Sequence, residues 1–127
     1  MKKGLLAIVL SGTILLAGDT TISATMNLMN QGLNQVQSGF VNNNKKDILE
    51  GISIIENANS IFSQVDVGKF IPNNRKTQVT KNIYNNLTKS LKKLKSNIEN
   101  RKYSAATESY GKVLNTCLAC HTIVRGW

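Results

Sequence analysis

Lys76 to Asn100, KTQVTKNIYNNLTKSLKKLKSNIEN, decides the fold class. Its apolar residues Val79, Ile83, Leu87, Leu91, Leu94 and Ile98 recur at steps of three and four, which lays them in one stripe along an α-helix and on neither face of a strand. Lys89, Lys92, Lys93 and Lys95 fall between them as a solvated face. Such a helix must bury its stripe against other elements, and the rest of the chain supplies only further helices.

Toward the amino end, Val67 to Asn74 holds Gly68, Pro72 and the Asn73-Asn74 pair and reads as a connector. Before it, Ile48, Ile52, Ile55, Ala58, Ile61, Phe62 and Val65 step along a second helix that Asn44 is placed to cap and that stops near Asp66. Asn42-Asn43-Asn44 parts it from a helix over about Asp19 to Val41, striped by Ile22, Met26, Met29, Leu33, Val36 and Phe40. Beyond Asn100, a fourth helix from about Ser104 to Val124 turns Ala105, Tyr110, Val113, Leu114 and Cys117 inward. No strand pattern of any length competes, and no solenoid repeat is present. The expected class is all-α, an antiparallel four-helix bundle formed by residues 19–127 as one domain. Roughly a hundred residues close only a modest core, which would gain from a large apolar group inside it.

Residues 1–18 read as a secretory signal peptide. Met1-Lys2-Lys3 is a short basic start, and GLLAIVLSGTILLAG from Gly4 to Gly18 has the length of a secretory apolar region and is too short for a comfortable membrane span. Cleavage falls after Gly18 or, later, after Ala24; Asp19 in place of Cys closes the lipoprotein route. The expectation is a periplasmic protein that meets the membrane only through the signal segment before cleavage.

The 127 residues carry 16 Lys and Arg against 7 Asp and Glu, with two cysteines, one histidine and one proline. Cleavage after Ala24 removes Lys2, Lys3 and Asp19 and leaves 14 − 6, and cleavage after Gly18 leaves 14 − 7, still strongly basic. A single His excludes a Cys₂His₂ zinc site and any shared imidazole acid–base work. Two cysteines argue against a multi-bridge disulfide scaffold. Aromatics at 6% are not interleaved with the basic residues as a stacking platform for nucleic acid requires, and export points the same way: no nucleic acid partner is expected.

Both cysteines and the histidine fall in one pentapeptide, Cys117-Leu118-Ala119-Cys120-His121. Cys-x-x-Cys-His is the spacing of c-type haem attachment. On a helix, positions i, i+3 and i+4 share a face, so two sulfurs and an imidazole can address one flat ligand. The thiols would add across the haem vinyl groups while His121 supplies an axial nitrogen to the iron. The expected cofactor is one covalently attached haem c. Three competing chemistries each lack something: a thioredoxin-type pair lacks its βαβ context, structural zinc lacks a fourth ligand, and a disulfide between Cys117 and Cys120 would close too short a loop to gain much.

A four-helix bundle with this motif on its last helix resembles the cytochrome c′ family. Arg125, four residues past His121, matches a basic residue that the family places beside the proximal histidine, and Tyr110-Gly111-x-Val113 is similar to its aromatic-Gly-x-Val run. Met26-Asn27-Leu28-Met29 with Leu33 resembles the stretch on the distal side of the haem. With Lys46-Asp47 it is also similar to the periplasmic four-helix cytochrome that binds b-type haem through methionine and histidine. Low-spin c′ relatives ligate iron through a methionine, and Met26 falls on the matching position, with Met29 one turn on as the fallback. Ile22 stands where the family often has an arginine, which takes propionate pairing off that helix.

The resemblance implies a periplasmic one-electron carrier, not an enzyme, with haem attached through Cys117 and Cys120 and ligated by His121 and Met26. Five-coordinate relatives with an apolar distal residue bind nitric oxide or carbon monoxide, and that is the alternative expectation. A haem-free helical interaction protein is a third. Lys89 to Lys95 with Arg101 and Lys102 make a basic zone that can steer an acidic redox partner. A homodimer paired through first helices remains open.

Overall fold

The computed structural model describes residues 17–65 and 77–125. Four helices follow one another: α1 Ala17–Val41, α2 Lys45–Gln64, α3 Thr77–Glu99 and α4 Tyr103–Arg125. Among the described residues there is no strand, and the all-α four-helix bundle expected from the sequence is what forms. Residues 1–16, most of the predicted signal segment, and the predicted connector from 67 to 74 lie outside the described residues. Because α1 starts at Ala17, both candidate cleavage positions fall within its first turns. No described helix is long and apolar enough to cross a membrane.

The turns use asparagine and arginine where glycine is commoner. Asn43 takes the left-handed conformation at φ 53° and closes α1 with a double hydrogen bond: Asn44 N–H donates to Gly39 O at 2.8 Å and Asn43 N–H to Phe40 O at 3.4 Å. Asn44 then caps α2, its Oδ1 accepting from the backbone N–H of Lys46 and Asp47 while its Nδ2 donates to Asp47 Oδ2 at 2.7 Å. Arg101, at φ 58°, ends α3 in the same way, with Lys102 N–H on Asn97 O at 2.8 Å and Arg101 N–H on Ile98 O at 3.1 Å. These short turns fold α1 back on α2 and α3 back on α4.

The core is built from Met29 and Val36 of α1, Ile48 to Phe62 of α2, Leu87, Leu91, Leu94 and Ile98 of α3, and only Ala106 and Val113 of α4. Three seams hold it. The α1–α2 seam is a close approach of backbones at Gly32 and Gly51, where a Cβ on either would meet the other's carbonyl oxygen below 3.0 Å. At the α2–α3 seam, buried Asn59 donates to Thr88 Oγ1 at 3.0 Å and Tyr84 O at 3.4 Å. At the α3–α4 seam, Asn97 donates to Ser109 Oγ at 2.9 Å and Ala105 O at 3.3 Å. Among the described residues, no buried side-chain polar atom lacks a partner.

Two inward assignments shift. Ile61 is 41% exposed, because at 3.6 residues per turn it falls well off the line through Ile48, Ile52 and Ile55 that Asn59 occupies. On α4 the buried positions are Ala106, Ser109 and Val113, with Ala105 only half-buried: the hydrogen bonds of Asn97 draw the Ser109 side of the helix inward. The predicted lysine face of α3 is exposed throughout, with Lys95 Nζ 4.0 Å from Glu56 Oε2.

Candidate functional site

The buried residues of α4 end at Val113, one turn before Cys117, which itself packs against the core from its edge. Val113 is fully buried, whereas Cys117, Cys120 and His121 are each half-buried although they continue the inner face of α4. At 3.6 residues per turn, Tyr110, Cys117 and His121 fall within roughly 40° of one another, and Cys120 sits on the side that Ser109 turns toward α3. The outer face carries Leu118, 61% exposed.

Across from this stretch lies α1, and one hydrogen bond sets the register between the two helices. Tyr110 Oη donates to the backbone carbonyl of Leu33 at 3.1 Å, and the Tyr110 ring lies 5.8 Å from that of Phe40 at 38°. The helices are antiparallel, so seven residues on from Tyr110 (117 − 110) and seven back from Leu33 (33 − 26) bring Cys117 and Met26 to the same level, each about 10 Å along. Met26 shares the Leu33–Phe40 stripe of α1 by the same helical count. Helical side chains lean toward their own amino end, so His121 and Met26 lean toward each other along opposed helices. Met26 is half-buried and packs on the core from its edge; Met29, 8% exposed, belongs to the core itself. Of the two candidate methionines, Met26 is therefore the more accessible.

Both cysteines are free thiols. Burial, and then the neighbouring Cys120, push the Cys117 thiol up to about 11 against a backbone hydrogen bond that lowers it; burial raises Cys120 as well. Both sulfurs are thus protonated near neutrality, in a setting that suits an apolar neighbour more than a thiolate nucleophile or a zinc ligand. Tyr110 is raised by burial first and by Cys117 second, which keeps its hydroxyl a donor. Among the described residues no three His, Cys, Asp or Glu side chains are grouped so as to hold a metal ion between them. By helical count the two sulfurs and the imidazole instead lie along one face of α4.

The remaining predicted features are placed as follows. Arg125 is the last residue of α4, and its side chain lies outside the described residues. Ile22 is half-buried on the Met26 stripe. Arg101 and Lys102 are exposed at the other end of α4: from Tyr103 to His121 is 18 residues (121 − 103), about 27 Å of helix. The Tyr110–Leu33 link has one signal in the sequence, a tyrosine two turns before Cys117 and within about 20° of it, which the sequence places inward and in the aromatic-Gly-x-Val run without giving it a partner. A shallow depression lined by Lys45, Lys46, Leu49, Glu50 and Ser53 is formed by α2 alone, away from these residues.

Comparison with known proteins finds no matching family model, no matching curated protein and no matching solved structure.

Proposed function

We propose that the chain is an exported monohaem c-type cytochrome, a one-electron carrier akin to the methionine-ligated members of the cytochrome c′ family. The observation that carries this reading is the half-buried row of Cys117, Cys120 and His121 on one face of α4, which Tyr110 of the same face ties to the Met26 stripe of α1 through Leu33 O. Bound haem supplies a one-electron iron couple, whose potential follows its axial ligands and its burial.

The chain's own residues do the rest. Cys117 and Cys120, free thiols here, would hold the group by adding their S–H across its two vinyl groups, which would keep it from dissociating after export. His121 would supply an imidazole nitrogen to its iron. Met26 would supply a thioether sulfur, a soft donor that favours reduced iron and keeps small ligands out. Arg125 is assigned to the proximal side on the resemblance alone. A partner of acidic surface would be steered by Lys89, Lys92 and Lys93, which lie nearer the site than Arg101 and Lys102. Cleavage after Gly18 keeps the helical turns that precede Met26; cleavage after Ala24 removes them and leaves Met26 at a fraying end.

The optical spectrum of the exported protein tests this. Sharp low-spin bands in the reduced state, lost on Met26→Ala, are expected. A broad high-spin spectrum with ready carbon monoxide uptake by the unmodified chain contradicts methionine ligation and selects the gas-binding alternative.

A further inference from the structure

Three seams of the bundle are held by the Gly32–Gly51 backbone approach, by Asn59 and by Asn97, and the fourth joins α1 to α4. Between α1 and α4, Tyr110 Oη donates to Leu33 O and the Tyr110 ring makes a tilted contact with that of Phe40. Both arise from the same side chain. Tyr110 sits two turns from Cys117 on the line that ends at His121, and it grips α1 two turns from Met26 on the line that contains it. We propose that Tyr110 is a positioning residue, a latch that holds α1 against α4 and thereby sets whether Met26 reaches a group bound at Cys117, Cys120 and His121; the inference rests on the haem reading above.

The chemistry of the contact makes the latch separable from folding. Leu33 O belongs to the hydrogen-bond ladder of α1, so removing the phenol hydroxyl orphans no buried donor and leaves the carbonyl with its helical partner. Phenylalanine keeps the ring against Phe40. What is lost is the directional link that fixes the height and spacing of α1 over α4, while α1 stays attached to α2 through the Gly32–Gly51 approach. The α1–α2 pair can then tilt as a unit, and the distal side chain retreats along with it. A ligand competing with Met26 gains by as much as the attached state loses.

The test compares the exported, haem-loaded protein with Tyr110→Phe and with Asn97→Ala. Asn97→Ala removes two hydrogen bonds at the α3–α4 seam and serves as a variant that loosens the bundle elsewhere. Carbon monoxide affinity of the reduced protein and its reduction potential are measured beside the thermal midpoint. Tyr110→Phe is expected to tighten carbon monoxide binding by roughly two- to tenfold, the range that one net hydrogen bond commands, and to lower the potential. Asn97→Ala should lower the midpoint and leave both unchanged. Wild-type affinity and potential in haem-loaded Tyr110→Phe overturn the latch and leave the haem reading standing. An equal shift in both variants overturns it too, as general loosening. Wild-type protein that leaves the export pathway without haem overturns the reading underneath and the latch with it.

Discussion

A Cβ atom placed on Gly51 would stand 2.7 Å from the carbonyl oxygen of Gly32, and one placed on Gly32 would stand 2.8 Å from the carbonyl oxygen of Gly51. The two backbones touch at this crossing, and neither contact is with a side chain that can swing away. Gly39 makes the same approach one end further along, where a Cβ would lie 2.7 Å from Ile48 N. The helix that carries Met26 is therefore welded to α2, and the freedom of the site lies on its α4 side.

Gly51→Ala should force α1 and α2 apart and destabilise the fold by about 1–3 kcal/mol, the usual cost of overpacking. Gly111 is the internal control: it is exposed, and a Cβ there would meet nothing within 4 Å. Gly111→Ala should stabilise by about 0.5–1 kcal/mol, because the gain is the conformational entropy of a helical glycine. Urea unfolding of the two variants reads both signs; equal effects would contradict the close crossing.

Arg101 holds a left-handed backbone that costs an L-residue about 1 kcal/mol. Arg101→Gly should relieve part of it and raise the thermal midpoint. Asn44→Ala should destabilise the fold by about 1 kcal/mol and lower the midpoint, since two backbone donors of α2 lose their acceptor. A destabilising Arg101→Gly would contradict the turn.

Much of this fold was legible because apolar stripes on four helices leave few ways to hide them, and because Asn44 is a cap that announces itself. Helix ends came out within about three residues of their predicted places, as capping signals allow. Two things were hidden. Asn59 sits in the middle of an apolar stripe, and only its partners Thr88 and Tyr84 on α3 explain why a polar side chain can be buried there. The face of α4 depended on Asn97, a residue on another helix, so Ala106 and Ser109 displaced Ala105. For the site, the pentapeptide was plain in the sequence, whereas the α1–α4 register was not: it hangs on a tyrosine reaching a backbone carbonyl 77 positions away, which no spacing rule encodes.

The raised Cys117 thiol gives the haem-free chain a pH dependence of known sign. The folded state favours the neutral thiol, so it binds more protons than the unfolded state between the ordinary value of 9.0 and about 11. This contribution is fully present below pH 9 and is lost as pH rises toward 11. The urea midpoint of the haem-free chain minus that of Cys117→Ser should fall across this window. A difference that stays flat would mean the thiol is not held in an apolar setting. Alkylation at pH 8 should correspondingly be slower at Cys117 than at an exposed small thiol.

The intact mass of the protein, exported in cells that carry the c-type maturation machinery and then unfolded in acid, bears most directly on the central claim. A single species heavier than the processed chain by one haem is predicted, with no titratable thiol left. Cys117→Ser with Cys120→Ser should return the mass to that of the bare chain. An unmodified mass for the unaltered sequence, with two free thiols, would contradict covalent haem at Cys117 and Cys120.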